Sequence, residues 1–154
     1  MVGVGAVFLD TSVLLPGLMD LPRPDPGARR ILTAIAEGRL RNAHTAWHCC
    51  LEFYSVATRL PEEYRLTATD ALLLLEANVL SRLKIHDLPV GHRHDLLRAA
   101  ATEGLMGGRI YDAHIAEVAH AAGVTVVVTN NRRHFVSLLR HGIRVIDSAE
   151  FSRT

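Results

Sequence analysis

The sequence predicts a three-layer α/β/α fold, with helices on both faces of a mainly parallel sheet of roughly five strands. Three observations carry that expectation. Short apolar or β-branched runs alternate along the chain with longer stretches of helical periodicity, the pattern of repeated strand–helix–strand crossovers. Thr125-Val-Val-Val-Thr129 is β-branched throughout, as a buried strand favours. Ala6-Val-Phe-Leu9 is an apolar run that stops at Asp10-Thr11-Ser12, so its C-terminal end meets a polar turn, and open α/β sheets place their sites at such ends.

After that first strand comes a proline-rich loop, Leu21-Pro-Arg-Pro-Asp-Pro26, in which Asp25-Pro26 has the form of an N-cap and first helical position for a helix over 27–37. A brief strand is expected over 41–43, then a helix from Thr45 to Arg59 that carries Glu52 and is closed by Pro61. Thr67 to Asp70 fits a capping box for a well-buried helix over 71–83, and Ile85-His-Asp-Leu88 reads as a short edge strand. Helices are expected over 92–103 and 111–122, separated by Gly104-Leu-Met-Gly-Gly108 and ended by Gly123 as a C-cap. Asp112 falls in the first turn of the second. The β-branched strand runs into the polar turn Asn130-Asn-Arg-Arg-His134, and Ile143-Arg-Val-Ile146 supplies a last strand.

At 154 residues a single domain over 1–154 is expected. Hydrophobic residues at 49% and charged residues at 21% exclude the disordered class. No apolar run is long enough to span a bilayer and the start lacks the basic segment of a secretory signal, so a cytoplasmic protein is expected. The only cysteines, Cys49 and Cys50, are neighbours and offer no disulfide framework. Net charge is +1, so any nucleic-acid footprint has to be local. Lys84 is the sole lysine; the arginine excess suits phosphate recognition, but an arginine-rich genome is the favoured explanation. There is no G-x-G-x-x-G and no Walker A sequence, which removes the usual support for dinucleotide and nucleoside-triphosphate sites.

Three acids stand out. Asp10 follows the first strand, and Asp112 opens a helix, where the dipole favours a carboxylate; either position alone is that of an ordinary cap. Glu52 lies among apolar residues in Trp47-His-Cys-Cys-Leu-Glu-Phe-Tyr-Ser-Val-Ala57, so it is expected to be buried and to need a cation or a basic partner. Carboxylates gathered around Mg²⁺ or Mn²⁺ would meet that need, and metal-assisted phosphodiester hydrolysis uses such a cluster. Spacing alone does not bring the three together.

The segments FLDTSVLL (8–15), LEFYSVATRL (51–60), GGRIYDAHIAEVAHAAG (107–123) and VVVTNNRRHF (126–135) together resemble the PIN-domain family, in particular its VapC-like toxins. The resemblance implies a PIN-like fold and a metal-dependent ribonuclease of a type II toxin–antitoxin pair, with Asp10, Glu52 and Asp112 as ligands of Mg²⁺ or Mn²⁺. It also implies that Thr11, Ser12 and Thr129 support the metal or contact phosphate. Many relatives carry a further acid in the turn after the fourth strand. Here Asn130 and Asn131 stand there instead, Asn131 orienting water or metal by hydrogen bonds, which favours one tightly held ion with a second recruited by RNA. Arg132, Arg133 and Arg140 would meet the RNA backbone, although a solvated helix start explains them as well.

The same resemblance implies a cognate antitoxin inserting a basic side chain among the acids, and a homodimer. Leu14, Leu15 and Leu18 are candidates for either surface, or simply core residues. A zinc reading of His44, His48, Cys49 and Cys50 is set aside in favour of structural roles, with His48 one turn before Glu52 and able to hydrogen-bond it. Thr129 has no visible base that would make it a nucleophile. A PIN-like module that binds RNA or protein without cutting is the main rival. A phosphatase or receiver on a similar sheet is disfavoured by the lack of a lysine after the last strand.

Overall fold

The computed structural model describes residues 1 and 3–154. Five strands, β1 (Val7–Leu9), β2 (Ala43–Ala46), β3 (Lys84–His86), β4 (Val126–Val128) and β5 (Arg144–Ile146), form one sheet in the order β3-β2-β1-β4-β5. Every pairing is parallel. Between the strands run α1 (Thr11–Leu18), α2 (Pro26–Ala36), α3 (Trp47–Ala57), α4 (Ala68–Leu75), α5 (Arg93–Glu103) and α6 (Arg109–Ala121), and α7 (Ser148–Phe151) follows β5. A π-helical turn, Glu76–Leu80, continues α4, and 3-10 turns occupy Val90–His92, Arg132–His134 and Val136–His141.

The chain steps outward from β1 to β2 to β3, then returns past β1 to β4 and on to β5. Right-handed crossovers running in opposite lateral directions put their helices on opposite faces of a sheet. The packing follows that rule: α1 meets α2 and α3, and α3 meets α4, whereas α5 meets α6, which meets the last two 3-10 turns. Strands β1, β2 and β4 are buried along their whole length, as a sheet covered on both faces requires. Phe8, Phe53, Phe135 and Phe151 fill the core around them.

Two glycines set the helix packing next to the site. A Cβ on Gly17 would lie 2.6 Å from Leu32 Cδ2, so the missing side chain lets α1 settle on α2. A Cβ on Gly27 would lie 2.6 Å from the Ser148 carbonyl oxygen, which brings the start of α7 onto the start of α2. No helix among the described residues is long and apolar enough to cross a membrane.

The expected sheet, its five strands and the edge position of β3 are present. Asp25 caps α2 by accepting from Ala28 N–H at 2.9 Å, Thr67 caps α4 by accepting from Asp70 N–H at 3.1 Å, and Gly123 has a φ of +70° after α6. Three elements differ. Residues 11–18 are a helix, not a turn leading into a loop; Pro16 disguises it because proline inside a helix removes a donor. The second strand is Ala43–Ala46 rather than 41–43, and the next helix starts at Trp47: Thr45 donates its hydroxyl to the Leu9 carbonyl at 2.7 Å, and ladders on both sides override local helical preference. The helix expected over 71–83 starts earlier and widens into the π-turn. Other boundaries shift by one or two residues.

Candidate active site

β1 and β4 are neighbours from which the chain departs in opposite directions, and a crevice opens beyond the carboxyl ends of such a pair. Asp10 follows β1 and Thr129 follows β4, so the topology faces them across it. Asp10 is 4% exposed. Its Oδ2 accepts from the Ser12 hydroxyl at 2.7 Å and the Thr129 hydroxyl at 2.9 Å. Burial raises its pKa above the ordinary 3.8; the two hydroxyls and the backbone amides of Thr11 and Ser12 oppose that shift only in part, and no basic side chain contributes. The Thr11 hydroxyl is also buried, without an oxygen or nitrogen partner among the described residues, and it helps to hold the Cys49 thiol.

Glu52 corrects the expectation of a buried acid. Its side chain is 36% exposed and pairs with His48 Nε2 one helical turn earlier, at 2.9 Å. The apolar neighbours that pointed to burial, Trp47, Leu51 and Tyr54, are themselves exposed along α3, so closeness in sequence did not mean enclosure. Asp112 lies in the first turn of α6, as expected, and pairs with His134 Nδ1 at 3.1 Å. The buried Asp10 is the acid that demands a partner.

The three acids share one end of the sheet. Burial, then the charge of Asp10 and more weakly that of Glu52, push the Cys49 thiol up to about 12, so both carboxylates act on one core side chain. His48, the partner of Glu52, stacks on Tyr111 beside Asp112 with ring centroids 5.3 Å apart. Yet among the described residues no three His, Cys, Asp or Glu side chains stand close enough to hold a metal ion. Glu52 and Asp112 each hold an imidazole instead.

The remaining candidates divide. Ser12 and Thr129 meet at Asp10, with 3.3 Å between their hydroxyls. Asn131 is exposed, and its N–H donates to the Thr129 hydroxyl at 3.0 Å. The exposed Arg132 faces Asp147 at 3.9 Å and Glu150 at 3.5 Å, Arg133 contacts His134 at 3.3 Å, and Arg140 reaches Glu103 at 4.0 Å. Cys49 and Cys50 are free and buried. His44 lies on β2, away from the helical register that would have paired it with His48, and its Nδ1 meets His86 Nε2 at 2.7 Å. Leu14 is core and unavailable to a partner, while Leu15 and Leu18 are half-buried.

Sequence reasoning named Asn130 beside Asn131 but gave it no role. Its side chain binds Ser12, Asp25 and Ser148. Two signals pointed to it: Pro16 leaves the carbonyl four residues earlier, that of Ser12, without its helical donor, and the Asp25 cap uses only one of two carboxylate oxygens.

Residues 7–138 match the PIN domain family. Over 141 residues the chain is 30% identical to ribonuclease VapC27 of Mycobacterium tuberculosis, covering 92% of this chain and 96% of that protein. FitAcB from Neisseria gonorrhoeae shares the fold with a TM-score of 0.59 at 20% identity, over 93% of this chain and 98% of that one. PAE2754 from Pyrobaculum aerophilum does so with a TM-score of 0.62 at 23% identity, over 97% and 88%. A match that begins at β1 and runs into the segment before β5, on a sheet of this order, places the chain in the PIN domain family.

Proposed function

We propose that the protein is an endoribonuclease, dependent on Mg²⁺ or Mn²⁺, that hydrolyses RNA phosphodiester bonds in the cytoplasm as the toxin of a toxin–antitoxin pair. The observation that carries this reading is Asp10, a carboxylate buried at the switch point with one oxygen held by two hydroxyls and no basic side chain to balance it. Burying such a group without a cation is unfavourable. The Asp10 carboxylate suits a hard divalent cation, which takes oxygen donors. The identity with ribonuclease VapC27 supports the same reaction class.

Asp10 would anchor the ion, with Glu52 and Asp112 joining it once they release His48 and His134. When bound, the ion neutralises phosphate charge and lowers the pKa of water. The chain's own residues do the rest. Ser12 and Thr129 fix the Asp10 carboxylate, and Asn131 orients water from the turn after β4. Arg132, Arg133 and Arg140 give the RNA backbone its footing, Arg132 exchanging its surface carboxylates for phosphate. An antitoxin, or a second copy of the chain, would find its apolar surface on α3, where Trp47, Leu51 and Tyr54 are exposed at one-turn spacing beside Glu52.

The test is cleavage of structured RNAs by the wild type and Asp10→Asn in Mg²⁺, Mn²⁺ or EDTA. Cutting by the wild type in metal alone is expected. Activity that survives EDTA, or the substitution, refutes the mechanism, and tight RNA binding by a wild type that never cuts would establish a binding module instead.

A further inference from the structure

We propose that Asn130 is a positioning residue for Asp10: through the turn it anchors, it fixes the direction of the two hydroxyls that hold this carboxylate. The inference rests on the reading of Asp10 as the metal anchor.

Ser12 and Thr129 lie 3.3 Å apart at their hydroxyls, close enough to bond each other with either one donating. Were they to do so, one hydroxyl hydrogen would turn away from Asp10. The turn after β4 decides the matter. Asn130 N–H donates to Ser12 Oγ at 2.9 Å, and Asn131 N–H donates to Thr129 Oγ1 at 3.0 Å. An amide on each hydroxyl oxygen occupies one of its two lone pairs, which leaves less room for a hydroxyl-to-hydroxyl bond and favours the shorter bonds of both hydroxyls to Asp10 Oδ2, at 2.7 and 2.9 Å. Among the described residues no side chain donates to Oδ1, and the backbone amides of Thr11 and Ser12 are the other groups that hold the carboxylate.

These two amides are held in place by the Asn130 side chain. Its Nδ2 donates to the Ser12 carbonyl at 3.1 Å and to Asp25 Oδ2 at 2.8 Å. Its Oδ1 accepts from the Ser148 hydroxyl at 3.0 Å and from Ser148 N–H at 3.3 Å. A primary amide has two donors and two acceptor lone pairs, so the side chain is saturated by protein although the residue is exposed. The Ser12 carbonyl is free to accept because Pro16, four residues on, has no N–H. The Ser148 hydroxyl also donates to Asp25 Oδ2 at 2.7 Å, closing a ring of Asp25, Asn130 and Ser148 that ties the turn to α1, α2 and α7 at once. Asn130 itself does not touch Asp10.

The experiment uses the full chain, comparing the wild type with Asn130→Ala, Asn130→Asp, Asp25→Asn and the exchange Asp25→Asn/Asn130→Asp. Mn²⁺ affinity is read by electron paramagnetic resonance without RNA, and kcat, KM and the melting temperature are measured alongside. Loss of a group that orients a metal ligand typically weakens metal affinity or activity about 10–100-fold, and that loss is expected for Asn130→Ala in Mn²⁺ affinity and kcat, with KM for RNA unchanged. The exchange reverses donor and acceptor across the 2.8 Å contact, though not at the Ser12 carbonyl, and is expected to recover part of what Asn130→Asp loses. A lower melting temperature with unchanged Mn²⁺ affinity and kcat would reduce Asn130 to a turn-closing residue and overturn the proposal. So would an exchange no better than Asn130→Asp alone. A wild type that binds Mn²⁺ but never cuts RNA overturns the ribonuclease reading and leaves the role of Asn130 decided by affinity; one that binds no Mn²⁺ overturns both.

Discussion

Asp10→Asn keeps the shape of the side chain and removes its charge, so in metal-free protein it should raise stability while abolishing cleavage. Burial is the largest influence on the Asp10 carboxyl and pushes its pKa up. An acid whose folded pKa is raised contributes stability that is fully present below the unfolded value of 3.8 and lost as pH rises through the folded one. Above that folded value the metal-free wild type carries an ionised carboxylate that burial disfavours. Asparagine still accepts from Ser12 and Thr129 without that burden, a gain of about 1–3 kcal/mol on the scale of buried polar groups. At this chain length each kcal/mol moves the thermal midpoint by about 2–4 °C, so the variant should melt about 2–12 °C higher in EDTA. Mn²⁺ at a hundred times its Kd should then stabilise the wild type by about 2.7 kcal/mol and the variant hardly at all. Thermal melts followed by circular dichroism, in EDTA and in Mn²⁺ between about pH 5 and 8, give all of these quantities. The gap in EDTA should narrow as pH falls. A variant that melts below the wild type at pH 7.5, or a gap that ignores pH, refutes the reasoning.

Two further outcomes follow from residues outside the acids. Gly27→Ala would drive a Cβ to 2.6 Å from the Ser148 carbonyl, a backbone atom that cannot swing aside, and should cost about 1–3 kcal/mol in urea unfolding; an unchanged midpoint would refute the close packing of α2 and α7. His44 has its pKa lowered from 6.5 to about 4, chiefly by burial and then by the charges of His86 and Lys84. The unfolded chain therefore binds its proton first on acidification, and His44→Gln should relieve a loss of stability between about pH 6.5 and 4. An imidazole proton signal for His44 that titrates near 6.5 would contradict this.

How far the sequence reached depended on whether a residue's role is set locally. The Asp25 and Thr67 caps, the Gly123 terminus and the first-turn position of Asp112 depend on neighbours within a few residues, and each stands as expected. Burial does not depend on such neighbours. Glu52 looked enclosed because Leu51 and Phe53 flank it, but adjacent helical positions face different ways: Phe53 points inward, Leu51 outward, and Glu52 lies between them at the surface. Asp10 looked like an ordinary cap because what encloses it arrives from β4, far along the chain. The two asparagines show the same division. Resemblance directed attention to Asn131, whereas the bonds made by Asn130 go to Asp25 and Ser148, partners that no local pattern joins to it.

The ring formed by Asp25, Asn130 and Ser148 also dates the assembly of the site during synthesis. Thr129 reaches Asp10 across 119 positions of sequence, Asn130 reaches Asp25 across 105, and Ser148 reaches Asp25 across 123. Contacts of such separation must wait for the chain between them, and translation delivers about 5–20 residues per second. Asp10 emerges early, but its two hydroxyls cannot be locked in direction until Ser148 has left the ribosome. A nascent chain therefore carries Asp10 for most of its synthesis without the contacts that hold its carboxylate.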